Sequence, residues 1–158
     1  MAHTSLLRQT LYKEMTQRLT DSESSVPYHN NGYLYREIYP KDADYPLYQR
    51  KPNDNVNIPW TTILNVNDLS KEADYIEVAW INPSPNNHFI SFSIDTTGNY
   101  EYEIRFLNII TGKLLNDRIQ KTWGSSIWSK DNKSVYYNVK DPITNRVEEV
   151  KKHRIGFD

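Results

Sequence analysis

The stretch "SIWSKDNKSVYYNV", residues 126–139, sets a polar, turn-forming cluster between two aromatic-rich runs, and an earlier part of the chain repeats it. In "AWINPSPNNHFISFSI", residues 79–94, Ser84, Asn86 and Asn87 hold the places that Ser129, Asp131 and Asn132 take 45 residues later. An alternating run follows each cluster: Ile90, Phe92 and Ile94 share one face in the first copy, Val135, Tyr137 and Val139 in the second. Apolar residues at period two read as a half-buried strand. A looser third copy precedes both, since "YHNNGYLYREIY" puts Asn30 and Asn31 ahead of an aromatic run that begins at Tyr33. Strand-rich repeats of this length point to propeller blades, and the period of two excludes the helical arrays that share the repeat length.

Working outward, the second unit is the best defined. Strands are predicted near Tyr75–Ile81, His88–Asp95, Tyr100–Leu107 and, after the turn "IITGK", Leu114–Ile119. Four strands meandering through short turns make one blade. Within it, "NYEYEIRF" alternates Tyr100, Tyr102, Ile104 and Phe106 with Glu101, Glu103 and Arg105, which reads as a one-sided strand with a charged outer face. The first unit is expected to hold a hairpin of Tyr33–Tyr39 and Tyr45–Lys51 and a further strand at Trp60–Val66. The third begins at Trp123, runs through a hairpin around "KDPITNR" and reaches the last residue without a clear fourth strand. The fold class is therefore all-β, a partial β-propeller of about three blades with the last incomplete. The expected division is a helical segment over 1–24, then an incomplete propeller over 25–158, with blades near 26–69, 74–120 and 123–158. The one clear helix is 5–19, where Leu7, Leu11, Met15 and Leu19 recur every four positions and so stack on one face that needs something to lie against.

Composition agrees and excludes several functions. Of the 158 residues 37% are apolar, but 12 tyrosines and 4 tryptophans carry much of that share, and mean hydropathy is −0.77. Such rings pack on pleated faces while their polar tips reach water. A formal charge of −1 offers no broad basic field to neutralise phosphates, so nucleic acid is not an expected partner. With no cysteine, disulfides and thiolate zinc sites are excluded. No apolar stretch approaches the ~20 residues of a membrane span, and "MAHTSLLRQTLYKEM" is too polar for a signal peptide. The expectation is a soluble, cytoplasmic chain without cofactor or metal.

Catalytic motifs are hard to find. In "WGSSIW", Gly124 and Ser126 could open the G-x-S-x-G turn that exposes a nucleophilic serine, but Trp128 stands where the second glycine belongs and no helix is predicted to follow. An innermost blade strand is the better reading. His3, His29, His88 and His153 are scattered, with no metal-ligand spacing. Asp95, Asp117, Asp131 and Asp141 read as turn residues that bond the local backbone. Gly98 and Gly112 read as turn glycines, and "KKHR", Lys151 to Arg154, as a solvated strand face. The catalytic assignment is none.

Three ordered segments carry a resemblance: "SSVPYHNNGYLYRE", "IRFLNIITGKLLNDRI" and "WSKDNKSVYYNVKDPITNRVEEVKKHRIG". In order and spacing, from about Leu11 to Gly156, the chain resembles the N-terminal propeller region of the prolyl oligopeptidase family, and in particular its oligopeptidase B (protease II) branch. The resemblance implies a cytosolic serine peptidase that cuts short peptides after lysine or arginine. A seven-bladed propeller would cap an α/β-hydrolase domain as an access gate. The catalytic serine, aspartate and histidine would lie in that later domain, so none has a position here, and the 158 residues by themselves are expected to be inactive. What the resemblance carries over is interdomain contact: the stripe of Leu7, Leu11 and Met15, and Asp95 after the strand "HFISFSI". A blade buries its faces against its neighbours, so an isolated set would expose apolar faces and self-associate. The alternative reading is a small blade-built interaction module that oligomerises or binds a protein partner.

Overall fold

In the computed structural model the described residues are 4–18, 22–55 and 57–156. One helix, α1 (Ser5–Gln17), precedes two antiparallel sheets. The first sheet holds β1 (Glu23–Ser24), β2 (Tyr28–Asn30), β3 (Tyr33–Tyr39), β4 (Leu47–Pro52) and β5 (Thr61–Asn65), ordered β1-β3-β4-β5, with β2 also paired to β3. The strands β1 and β2 were not expected. Asn30 pairs with Tyr33 across Asn31 and Gly32, both at positive φ (47° and 82°). A two-residue loop with two positive φ values matches the right-handed twist of its flanking strands, which is why "NNG" makes a hairpin of β2 and β3. A short helix, α2 (Val66–Leu69), and a 3₁₀ turn (Ser70–Glu72) then interrupt a region read as strand and turn. The Asn65 side chain starts the helix by accepting from Asn67 N at 3.0 Å.

The second sheet is a meander of β6 (Glu77–Pro83), β7 (Phe89–Asp95), β8 (Tyr102–Asn108), β9 (Lys113–Trp128), β10 (Ser134–Lys140) and β11 (Val147–Arg154) in sequence order. Its organising feature is β9. Two separate strands were expected there, near Leu114–Ile119 and from Trp123, but one continuous strand changes partner. Residues Lys113–Thr122 pair with β8, and Thr122–Trp128 pair with β10, so Thr122 stands opposite both Tyr102 and Val139. Positive φ at Lys121 (58°) and Gly124 (95°) bends the strand at this joint.

The repeat read from the sequence is exact in its bonding. In the β6–β7 turn, Ser84 N donates to Phe89 O, Phe89 N to the Ser84 hydroxyl, Asn87 N to Ser84 O, and the Ser84 hydroxyl to Asn86. In the β9–β10 turn, Ser129, Asp131, Asn132 and Ser134 make the same four bonds. Asn31, Asn87 and Asn132 all take left-handed backbone, which asparagine tolerates, and tie neighbouring turns together. Asn31 Nδ2 donates to Pro85 O, Asn87 Nδ2 to Asn31 O, and Asn86 N to Asn132 Oδ1.

The core is divided in two. Tyr35, Ile63, Leu64, Val66 and Leu69 meet Ile76, Ile90, Phe92, Ile94 and Leu107 between the first sheet and β7–β8. On the other side Ile104, Phe106, Ile119, Trp128 and Val135 form a second cluster, with Phe89, Leu115, Tyr137 and Ile155 packed against it. Each cluster lies between units, as expected of stacked repeats whose cores are shared with neighbours. This corrects the reading of β8 as one-sided. Ile104 and Phe106 enter the second core, but Leu107 enters the first, and Arg105 is also buried, its Nε 2.5 Å from Glu103. On the face that the charges mark as outer, Leu107 packs with residues of the first sheet. Tyr100, expected on the packed face, is exposed at a left-handed turn position.

Candidate interdomain surface

Along α1, Leu7, Leu11 and Met15 line a shallow apolar groove with Thr4, Arg8 and Tyr12. The spacing of four residues aligns them on one face. None of the helix is buried: Leu7, Leu11 and Met15 are 60%, 49% and 68% exposed. Leu19, the fourth residue of the expected stripe, lies outside the described residues, as does His3.

Asp95 ends β7 and is fully buried. Its Oδ1 accepts from Thr97 N (2.8 Å), the Thr97 hydroxyl (2.9 Å) and Gly98 N (3.0 Å), and its Oδ2 from Tyr100 N (2.8 Å). Burial alone would raise this carboxyl, but the bonds from Thr97, Tyr100 and Gly98 more than offset it and hold it below its ordinary value. The turn reading of Asp95 thus describes its bonding: the carboxylate is spent on holding the loop 95–100. Nearby, the phenol of Tyr102 is pushed up to about 12 by burial and by the Glu77 carboxylate, to which its hydroxyl donates at 3.2 Å.

Ser126 sits near the C-terminal end of β9, almost fully buried, with its hydroxyl 2.9 Å from that of Ser91. No tight strand-to-helix turn follows it, and its hydroxyl meets another hydroxyl instead of an imidazole. Gly124 and Trp128 also serve packing: the Trp128 ring lies in the second core, and its Nε1 donates to Asn82 O at 3.0 Å. Asp131 and Asp141 are turn residues, each accepting backbone N–H groups of its own loop. The Ser129 hydroxyl lowers Asp131, and the Thr144 N–H lowers Asp141.

Asp117 is not a turn residue. It lies within the outer half of β9, where its Oδ1 is 2.8 Å from His153 Nε2 and accepts from Gly156 N at 2.7 Å. The His153 ring also stacks on Phe106, 6.1 Å between centroids. The pair clamps the end of β11 to β9. Sequence reasoning missed it because partners 36 residues apart leave no local signal. Among the described residues no group of three or more His, Cys, Asp or Glu side chains could hold a metal ion, and no helix is long and apolar enough to cross a membrane.

This arrangement can do packing and docking chemistry, and comparison with known proteins gives it a setting. The family described as prolyl oligopeptidase, N-terminal beta-propeller domain, matches residues 1–158. Dipeptidyl aminopeptidase BI of Pseudoxanthomonas mexicana is 32% identical over 99% of this chain, and Protease 2 of Moraxella lacunata is 27% identical over 94% of it. The chain spans 24% and 22% of those relatives' lengths. Oligopeptidase B from Leishmania major superposes with a TM-score of 0.87 at 27% identity, covering 99% of this chain and 22% of that one.

Proposed function

The chain belongs to the prolyl oligopeptidase family, as N-terminal β-propeller sequence, and from that premise we propose that it forms the first blades of the propeller of an oligopeptidase B-like serine peptidase. The blades run near 26–69, 74–120 and 123–158, the second and third joined at the bend of β9. A full-length enzyme of this kind would work in the cytoplasm on short peptides, cutting after lysine or arginine, with the propeller limiting access to an α/β-hydrolase domain that carries the catalytic triad. The stripe of Leu7, Leu11 and Met15 then lies against that domain, and Asp95 fixes a propeller loop. The observation that carries the reading is the placing of the core: both apolar clusters lie between repeats, while the one serine with a nucleophile-like context, Ser126, is buried against Ser91. Repeats that share cores are a scaffold, and their chemistry must come from elsewhere.

The test uses reporter peptides with a basic residue before the scissile bond. The 158-residue chain is expected to give no turnover. A chimaera with this chain in place of the matching segment of the Moraxella lacunata relative is expected to cut short reporters, and Leu11→Glu is expected to weaken that activity. Turnover by the isolated chain that Ser126→Ala abolishes would refute the proposal.

A further inference from the structure

Beyond this role, the turn that ties the first repeat to the second carries a chemistry of its own. Asn31 is the only asparagine in the sequence that a glycine follows. In such a pair the glycine nitrogen can attack the side-chain amide of the asparagine, because the glycine has no Cβ to crowd the approach. Both residues are exposed. Gly32 is held through its carbonyl, which accepts from Asn53 N at 3.1 Å, while its own N–H has no partner among the described residues. A Cβ built on Gly32 would meet nothing within 4 Å, so the space around this peptide is open.

The reaction needs only water. The Gly32 nitrogen gives up its proton and bonds to Asn31 Cγ, the Cγ–Nδ2 bond breaks, and ammonia leaves with that proton. Water then opens the cyclic imide at either of its carbonyls, giving aspartate or isoaspartate at position 31. No electron changes hands, so neither oxidant nor reductant takes part.

The fold adds a restraint and a consequence. The amide under attack is the one that bridges the repeats: Asn31 Nδ2 donates to Pro85 O at 2.7 Å and to Asn87 Oδ1 at 3.2 Å, and Asn87 Nδ2 donates back to Asn31 O at 3.1 Å. Attack requires the side chain to leave Pro85 and Asn87 and fold onto its own backbone, so the closed bridge slows the reaction. After conversion the bridge cannot close again. Ionised aspartate has only acceptor oxygens, whichever way it turns, so an oxygen would face the Pro85 carbonyl. Turning the Asn87 amide to donate to that carboxylate would break its bond to Asn31 O. The hairpin of β2 and β3 survives as aspartate, since Asp-Gly suits the same turn as Asn-Gly. The buried Arg50, which donates to Asn87 O at 2.8 Å, and the shared core keep the two units together, so the change is confined to this end.

We propose that Asn31 is a self-modifying site that acts as a one-way switch. The bridge to Pro85 and Asn87 holds conversion in check, and conversion, once made, keeps the first two repeats unlatched at this turn. The proposal stands on the bonding of Asn31 and not on the peptidase reading.

Peptide mapping by mass spectrometry of the 158-residue chain, aged in mildly alkaline buffer, tests it. Asn31 is expected to convert ahead of every other asparagine, and faster still when the chain is unfolded in urea. Asn87→Ala removes the side chain that holds Asn31 and is expected to speed conversion there roughly tenfold. The control is Asn132→Ala, equally left-handed (φ 61° against 60°) but without a bond to Asn31, which is expected to leave the rate unchanged. Asn31→Asp, which imitates the product, is expected to speed hydrogen exchange in the turn 84–88 by a similar factor and to leave β8 as in the parent. An Asn31 that converts no faster than the other asparagines would overturn the proposal. So would equal rates in the Asn87→Ala and Asn132→Ala variants, or an Asn31→Asp variant whose turn 84–88 exchanges as in the parent.

Discussion

Replacing Gly124 by alanine probes the joint at which β9 passes from one partner to the next. The residue has φ +95°, beyond the region that side-chain-bearing residues tolerate, and the new Cβ would lie 2.8 Å from Trp80 Cδ1, 3.0 Å from the Ser93 hydroxyl and 3.0 Å from Tyr102 Cγ. Backbone strain at such a position costs about 1–3 kcal/mol. Forcing a methyl among two aromatic rings and a buried hydroxyl adds about 1–3 kcal/mol of overpacking. The control is Gly112→Ala: its φ is +67°, but a Cβ there would meet nothing within 4 Å, so only the backbone part applies. Urea unfolding followed by tryptophan fluorescence reads both variants, and with a slope of about 1–3 kcal/mol per molar the Gly124 variant should lose roughly 1 M or more of midpoint. Gly112→Ala should lose clearly less. Equal losses in the two variants would refute the argument that three neighbours crowd the joint.

Other outcomes follow from the same structure. Asp95→Ala strips the partner from the Thr97, Gly98 and Tyr100 N–H groups and should cost about 1–3 kcal/mol, with faster hydrogen exchange at Gly98 and Tyr100. Because the Asp95 carboxyl is held below its ordinary value when folded, its contribution is present above the unfolded value of about 3.9 and is lost as pH falls through the lower folded value. Urea melts in acid should therefore show a shallower loss of stability for Asp95→Asn than for the parent chain. Phe92→Ala empties a fully buried site in the first core and should cost about 3–5 kcal/mol, whereas Leu11→Glu on the exposed stripe of α1 should stay within about 0.5 kcal/mol by the same melts.

Much of this molecule was legible in one dimension because its signals are local. The period of two in Ile90, Phe92 and Ile94 gives a strand whatever lies opposite, although Ser91 and Ser93 on its other face are buried too where a half-buried strand was expected, and Asn87 and Asn132 make their turns with atoms of the same turns. A repeat of 45 residues states those local rules twice, which is why the all-β class and the position of the second unit could be read. The rest needed partners far away in the chain. Nothing near Arg105 says that it is buried, and nothing near Asp117 announces His153. The continuity of β9 was hidden for the same reason: the polar, glycine-bearing run around Gly124 looks like a break until two hairpins supply hydrogen bonds to its two halves. The sequence by itself determined most of the strands and the repeated turns at Ser84 and Ser129, since alternation and turn chemistry act over a few residues. Only the tertiary structure decided which faces are shared and where β9 bends, because those depend on burial against segments that local pattern cannot see.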